Sequence, residues 1–259
     1  MNRYASLVSF WGLLALAGPG LVAAEGSTTG LVQGVTAFNS AFDAWSYEGF
    51  VEAAGIFAAE AQANPTSSLA LYWQGVADFH AVLWCGRQEG AVARKRAEMR
   101  LQLARKSFEA ALLLKPNDAE CHALLSAMMG MQIAQHPSSA IWRGPSVLRH
   151  QRLALRNGPD NPRVHYLIGC GYYHAPSLLG DRQQALAHFI KAEPLFDEEA
   201  AKPPVPIQPL WGQSSCLTFI GKLYEEAGDQ AKAELYFQKA LKANPRDQLA
   251  QQAWADRKK

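Results

Sequence analysis

Residues 215–247 read SCLTFIGKLYEEAGDQAKAELYFQKALKANPRD, and few folds can accept such a stretch. Leu217, Ile220, Gly221 and Tyr224 recur at helical spacing. Ala227-Gly228-Asp229 breaks the run, and Ala233, Phe237 and Ala240 resume it before Asn244-Pro245. Large apolar residues on one face of each helix, with small ones where the helices must touch, predict an antiparallel helical hairpin. A hairpin of this kind cannot bury its apolar faces alone, so the chain should hold further copies stacked beside it.

Those copies are visible upstream. Residues 37–45 and 47–63 form a first pair, with Phe50, Ala53, Ala54, Phe57 and Ala61 as the apolar face and Asn64-Pro65 as its stop. Residues 69–83 open a second, with Leu71, Gly75, Val76 and Phe79. Its partner over 101–118 carries Ala104, Phe108, Ala111 and the Lys115-Pro116 stop. Between them, residues 85–100 are rich in Arg, Lys, Glu and Ala and read as a lengthened, charged, solvated helical hairpin. Asp118 is placed to cap a helix over 119–131. Two breaks, at 136–139 and at Trp142-Arg143-Gly144-Pro145, then precede a helix over 146–156. Residues 164–196 repeat the pattern with Ile168, Gly169, Tyr172, Ala185, Phe189 and Ala192. The proline-rich run 202–209 reads as an extended connector. No alternating Val/Ile/Thr stretch argues for a sheet, so the expected class is all-α.

The order Leu, Ile-Gly, Tyr, Ala, Phe, Ala, Pro in residues 215–247 resembles the tetratricopeptide repeat (TPR), a unit of about 34 residues. The resemblance implies a right-handed superhelical TPR solenoid of about five antiparallel helix pairs over residues 36–254. A flexible N-terminus, 25–35, would precede it and a charged tail, 255–259, would follow. Residues 157–196 more loosely resemble secreted bacterial TPR proteins. Related proteins serving periplasmic substrate-binding components imply a protein partner and self-association into a homo-oligomer.

The N-terminus fits export. Arg3 is the only charge before Glu25, residues 5–16 are largely apolar, and Val22-Ala23-Ala24 supplies small residues before Glu25. This is the pattern of a signal peptide cut after Ala24, and Gly18-Pro19-Gly20 argues against a spanning helix. Localisation is therefore expected to be periplasmic or secreted, without stable membrane insertion after cleavage. Residues 1–24 hold one Arg and no acid, so the chain's net +2 becomes +1. By bulk charge that is too near neutral for a binder of nucleic acid or of an anionic membrane. An oxidising compartment permits disulfides among Cys85, Cys121, Cys170 and Cys216; three complete pairings and four buried free thiols all remain open.

In the TPR family the first helix of each pair lines a concave groove. Carried over by spacing from Gly75, Gly169 and Gly221, the resemblance implies a partner-binding groove of Tyr72, Phe79, His80, Arg163, Tyr166, Tyr173, His174 and Lys222. Exposed aromatics there would act as hot spots and Arg163 would take a carboxylate with its bidentate fork. The other reading of the same aromatics is packing against the next repeat.

Nothing points to chemistry. Cys170 and His174 stand one turn apart, but no CxxC or HExxH spacing supplies the three or four convergent ligands a metal needs. Gly169-Cys170-Gly171 lies within a helix and follows no strand, so it is not a nucleotide loop. A catalytic Cys170 would lack an orienting acid and an oxyanion hole. The expectation is thus a non-enzymatic exported adaptor or scaffold, without cofactor or metal, that binds a protein or peptide in its groove. The alternative is a periplasmic small-molecule or transporter-associated binding protein.

Overall fold

The computed structural model describes residues 20–175 and 180–257. Among these there are no strands, and the helices pair in sequence order. The first pair is α1 (Gly20–Ala44) with α2 (Tyr47–Ala63), and the second α3 (Ser68–Cys85) with α4 (Ala91–Leu114). The third is α5 (Ala119–Gln135) with α6 (Ala140–Asn157), joined by a 3-10 turn, and the fourth α7 (Pro162–His174) with α8 (Arg182–Ala200). The fifth, α9 (Gln213–Glu226) with α10 (Gln230–Ala243), is covered by a closing helix α11 (Gln248–Asp256). Five pairs in an all-α solenoid agree with the sequence.

One lock recurs in four pairs. Gly34, Gly75, Gly169 and Gly221 on first helices face Phe57, Phe108, Phe189 and Phe237 on second helices. A Cβ at any of the four would stand 2.4–2.6 Å from the ring, closer than packed atoms tolerate. The four phenylalanines are fully buried. In the third pair Ser126 and Gln151 hold the corresponding places: His122 precedes Ser126 by four residues, as His165 precedes Gly169. Helix starts follow local chemistry, with Ser46, Ser67, Asp118, Asn161, Asp181, Asp229 and Asp247 each accepting a backbone N–H bond as N-caps.

Several boundaries differ from the sequence reading. Residues 25–35, expected to be flexible, lie within α1, and from Leu31 onward that helix packs Val35, Phe38 and Ala41 into the core. The charged insertion is a short turn followed by an N-terminal extension of α4, not a separate hairpin. The break expected at 142–145 is helical, with Pro145 inside α6. Pro145 is exposed, so the carbonyl its ring deprives of a partner faces solvent, where the loss is small. The tail begins later than expected, since Asp256 ends α11, whose Ala250 and Ala253 are buried. The signal-peptide assignment lies, up to residue 19, outside the described residues.

The proline-rich connector 202–212 does more than join α8 to α9. The Trp73 indole donates to the Ile207 carbonyl at 3.0 Å, across 134 residues of sequence. Trp211 is 6% exposed and belongs to the core built by α1 to α7. Gly212, at φ 109°, then turns the chain into α9, a backbone state that favours glycine.

Candidate functional site

Arg163 departs furthest from expectation. It is 2% exposed and already paired within the chain. Its Nε donates to Glu120 Oε1 at 2.9 Å, while Nη1 and Nη2 grip Glu199 at 2.7 and 2.6 Å. The Asn161 amide donates to the same Glu120 oxygen at 2.8 Å. The Tyr72 hydroxyl donates to the other Glu120 oxygen and receives the Trp211 indole N–H at 3.3 Å. Burial opposes the charge on Arg163, but Glu120 and Glu199 outweigh it and hold the guanidinium more firmly protonated than usual. Burial, then the Glu120 charge, pushes Tyr72 above the ordinary phenol range. A fork expected to meet a partner's carboxylate instead ties three repeats and the connector together.

His80 and Phe79 are buried as well, at 3% and 5% exposure. The His80 Nδ1–H donates to the Val76 carbonyl at 2.8 Å. Rings of Phe38, Phe42, Phe50, Phe79 and Trp211 surround it at 5.0–5.8 Å between centroids. Desolvation lowers its pKa to about 4, so the ring is neutral. Tyr166 is partly buried, with its ring 6.3 Å from that of Trp211. The inner surface assigned to a ligand at Tyr72, Phe79, His80, Arg163 and Tyr166 is therefore packed within the chain itself, largely against its own Trp211. Packing against neighbouring repeats is the reading that holds for them.

The equivalent places in the last two pairs remain open. Tyr173, His174 and Lys222 gather around the Phe219 ring at 5.0, 5.4 and 5.9 Å. His174 is exposed, and Tyr173 and Lys222 are half-buried. Tyr173 donates to Glu226 at 2.8 Å, and the Arg182 guanidinium, paired with the same carboxylate at 2.8 Å, lies 4.3 Å over the Tyr173 ring. Burial, then the Glu226 bond, pushes Tyr173 up to about 12. Burial and the nearby Arg87 charge lower Lys222. Burial, then Lys222 and Arg182, lower His174. The mouth thus gathers cations, Arg87, Arg182 and Lys222, with Glu225, Glu226 and Asp256 as the acids near Lys222.

Cys85, Cys121, Cys170 and Cys216 are all free thiols. Burial pushes Cys170 up to about 12, the opposite of an activated nucleophile. No group of three or more His, Cys, Asp or Glu among the described residues converges as a metal site would require. Sequence reasoning missed two histidine pairs. His122 and His150 face each other Nδ1 to Nδ1 at 2.9 Å, and His165 and His188 do so at 3.1 Å. Each first-helix histidine also meets the carbonyl of a proline six residues earlier, Pro116 at 3.0 Å and Pro159 at 2.8 Å. With Nε2–H donated there, its Nδ1 must accept, so His150 and His188 are the donors. The signal was available as two histidines at matching places in two consecutive repeats.

Comparison with known proteins agrees with this architecture. Residues 214–247 match the family model described as a tetratricopeptide repeat. Comparison with curated proteins finds no match. Among solved structures, the fold is similar to a thermophilic TPR protein from Thermus thermophilus. The TM-score is 0.62 at 18% identity, over 89% of this chain and 98% of that one. It is also similar to the HusA haemophore from Porphyromonas gingivalis, with a TM-score of 0.52 at 18% identity over 81% of this chain and 96% of that one. At such identities the likeness is one of fold.

Proposed function

Because the chain carries a tetratricopeptide repeat and has the solenoid fold built from such repeats, we propose that it is an exported, non-enzymatic scaffold that binds a protein or peptide partner at the open end of its inner surface. The observation that carries this reading is the cluster around Phe219. Tyr173, His174 and Lys222 are the accessible members of the predicted groove, and Lys222 sits near Arg87, with Glu225, Asp256 and Glu226 as the carboxylates that act on it. An aromatic floor under a partly desolvated cation suits a segment bearing a carboxylate, either a chain terminus or an Asp or Glu side chain. Export rests on the Arg3 and apolar-run pattern, with Glu25 as the first residue of the processed protein.

A small-molecule role has less support. The clefts between α4 and α6 and beneath the connector hold about 270 and 290 Å³, at the small end of the roughly 300–1,000 Å³ of ligand pockets. The test is capture of partners from an exported fraction by the processed protein and by Tyr173→Ala/Lys222→Glu, both checked by melting. N-terminal sequencing of the bait reads the Glu25 start. A partner held by the parent and lost by the folded variant supports the reading. Equal capture by both moves the site elsewhere, and capture of nothing removes the scaffold assignment.

A further inference from the structure

The chain's near-neutral total conceals a segregated charge. Residues 87–156 contain twelve Lys and Arg against five Asp and Glu, a net +7, so the remainder of a chain at +2 overall carries −5. Within that segment α6 has four arginines (Arg143, Arg149, Arg152 and Arg156) and no acid. The large exposed apolar side chains collect in the same place. Ile141, Trp142 and Leu148 on α6 are 82%, 63% and 57% exposed, and Val92 and Met99 on α4 are 69% and 46% exposed. Both are second helices of their pairs, and a single cleft is lined by Leu101 and Gln102 of α4 together with Trp142 and Arg143 of α6. Glu98 and the end of α5 line the same cleft, so the face on which apolar side chains and cations interleave is that of α6, with α4 beside it across the cleft.

We propose that this face docks the protein on an anionic lipid surface. Trp142, Ile141 and Leu148 would enter the headgroup layer while Arg149, Arg152 and Arg156 meet lipid phosphates. The mixture itself distinguishes the occupant. Ile141, Leu148, Arg149, Arg152 and Arg156 follow one another along one face of α6, and with no acid on that helix its charge is complementary to a surface of phosphates. Nucleic acid would want stacking rings, and Trp142 is the one aromatic among aliphatics on this face. Aliphatic and Trp side chains flanked by Arg and Lys on a surface-lying helix are what an acyl–headgroup boundary accommodates. No described helix is long and apolar enough to cross a membrane, so the association is peripheral. It is independent of the partner site around Phe219.

The test is co-sedimentation of the protein, as its host processes it, with vesicles of phosphatidylcholine alone and of phosphatidylcholine mixed with phosphatidylglycerol. The parent should bind the mixed vesicles and lose binding as salt is raised. Arg149→Glu/Arg152→Glu should weaken this by about tenfold or more, given the surface attraction of each basic residue. Ile141→Ser/Trp142→Ala, unchanged in charge, should weaken it several-fold. Lys191→Glu/Lys242→Glu carries the same charge change on α8 and α10 and should bind as the parent does. All variants are first checked to melt like the parent. Equal binding to both vesicle types, binding to neither, or an α8/α10 variant as weak as the α6 variant would each overturn the proposal. So would an apolar variant that binds as tightly as the parent.

Discussion

A histidine enclosed by five rings makes the molecule sensitive to acid. His80 keeps its ring neutral with a pKa of about 4, against about 6.5 in an unfolded chain. Its folded pKa is the lower one, so between pH 6.5 and 4 the unfolded state takes up a proton that the folded state refuses. Stability is full above about 6.5 and falls as pH drops through that window. For a side chain this buried the loss is on the order of 3 kcal/mol. His188, also lowered to about 4 by burial and its partner His165, is half-buried and adds less. Urea midpoints measured from pH 7.5 to 4 should fall for the parent. In His80→Phe the slope should flatten, and equal slopes in both would remove His80 as the cause. Neither this histidine nor Arg163 could be placed correctly by spacing. Their positions on first helices were legible, but what covers them was not, because Glu120 and Glu199 lie 43 and 36 residues from Arg163.

At the scale of helices the sequence was a better guide, because each pair is built from short-range rules. Capping residues, stops and small-against-large contacts are all written within one hairpin, and Gly75, Gly169 and Gly221 could be recognised by them. Gly34 escaped because Thr28, Thr29 and Gly30 precede it and make the stretch read as a flexible lead-in. The Gly34 contact with Phe57 fixes α1 against α2 nonetheless. Conversely, Gly144-Pro145 looked like a break, yet α6 continues through it because the lost hydrogen bond lies on its wet face. Gly221→Leu tests the lock directly. A Cβ there would stand 2.5 Å from the Phe237 ring and 3.2 Å from the Ala233 carbonyl. Neither can retreat, since Phe237 is fully buried. Overpacking should cost about 1–3 kcal/mol or more, well beyond the roughly 1 kcal/mol that leaving glycine adds to helix propensity. Thermal melting of parent and variant reads the difference, and an unchanged midpoint would mean α9 and α10 are not locked as described.

The whole molecule is held by contacts that no periodicity encodes. Bulk charge near zero pointed away from membranes only because +7 in residues 87–156 is offset elsewhere, and α6, with four arginines and no acid, is where the imbalance reaches the surface. The connector is the second such case. Its prolines announced an extended connector, but nothing in them announced that Trp211 would reach Tyr72 across 139 residues. That contact has a mechanical consequence. The buried residues fall into a large cluster spanning α1 to α7, a smaller one around α8, α9, α10 and α11, and a third of Ala233, Phe237 and Ala253 beside it. Trp211 lies between α8 and α9 in sequence yet packs into the large cluster, so it fastens the last repeats to the first ones. Solenoids with only nearest-neighbour contacts unfold in parts when one interface is weak, whereas a fastening of this kind makes distant repeats share one transition. Trp211→Ala should cost about 3–5 kcal/mol, as truncation of a buried aromatic does, and should also separate the large cluster from the others. Calorimetry of the parent should show a single transition, and that of the variant two, the lower one belonging to α8–α11. A variant that is merely less stable, with one sharp transition, would show that the stacking of α7, α8 and α9 couples the halves without the connector.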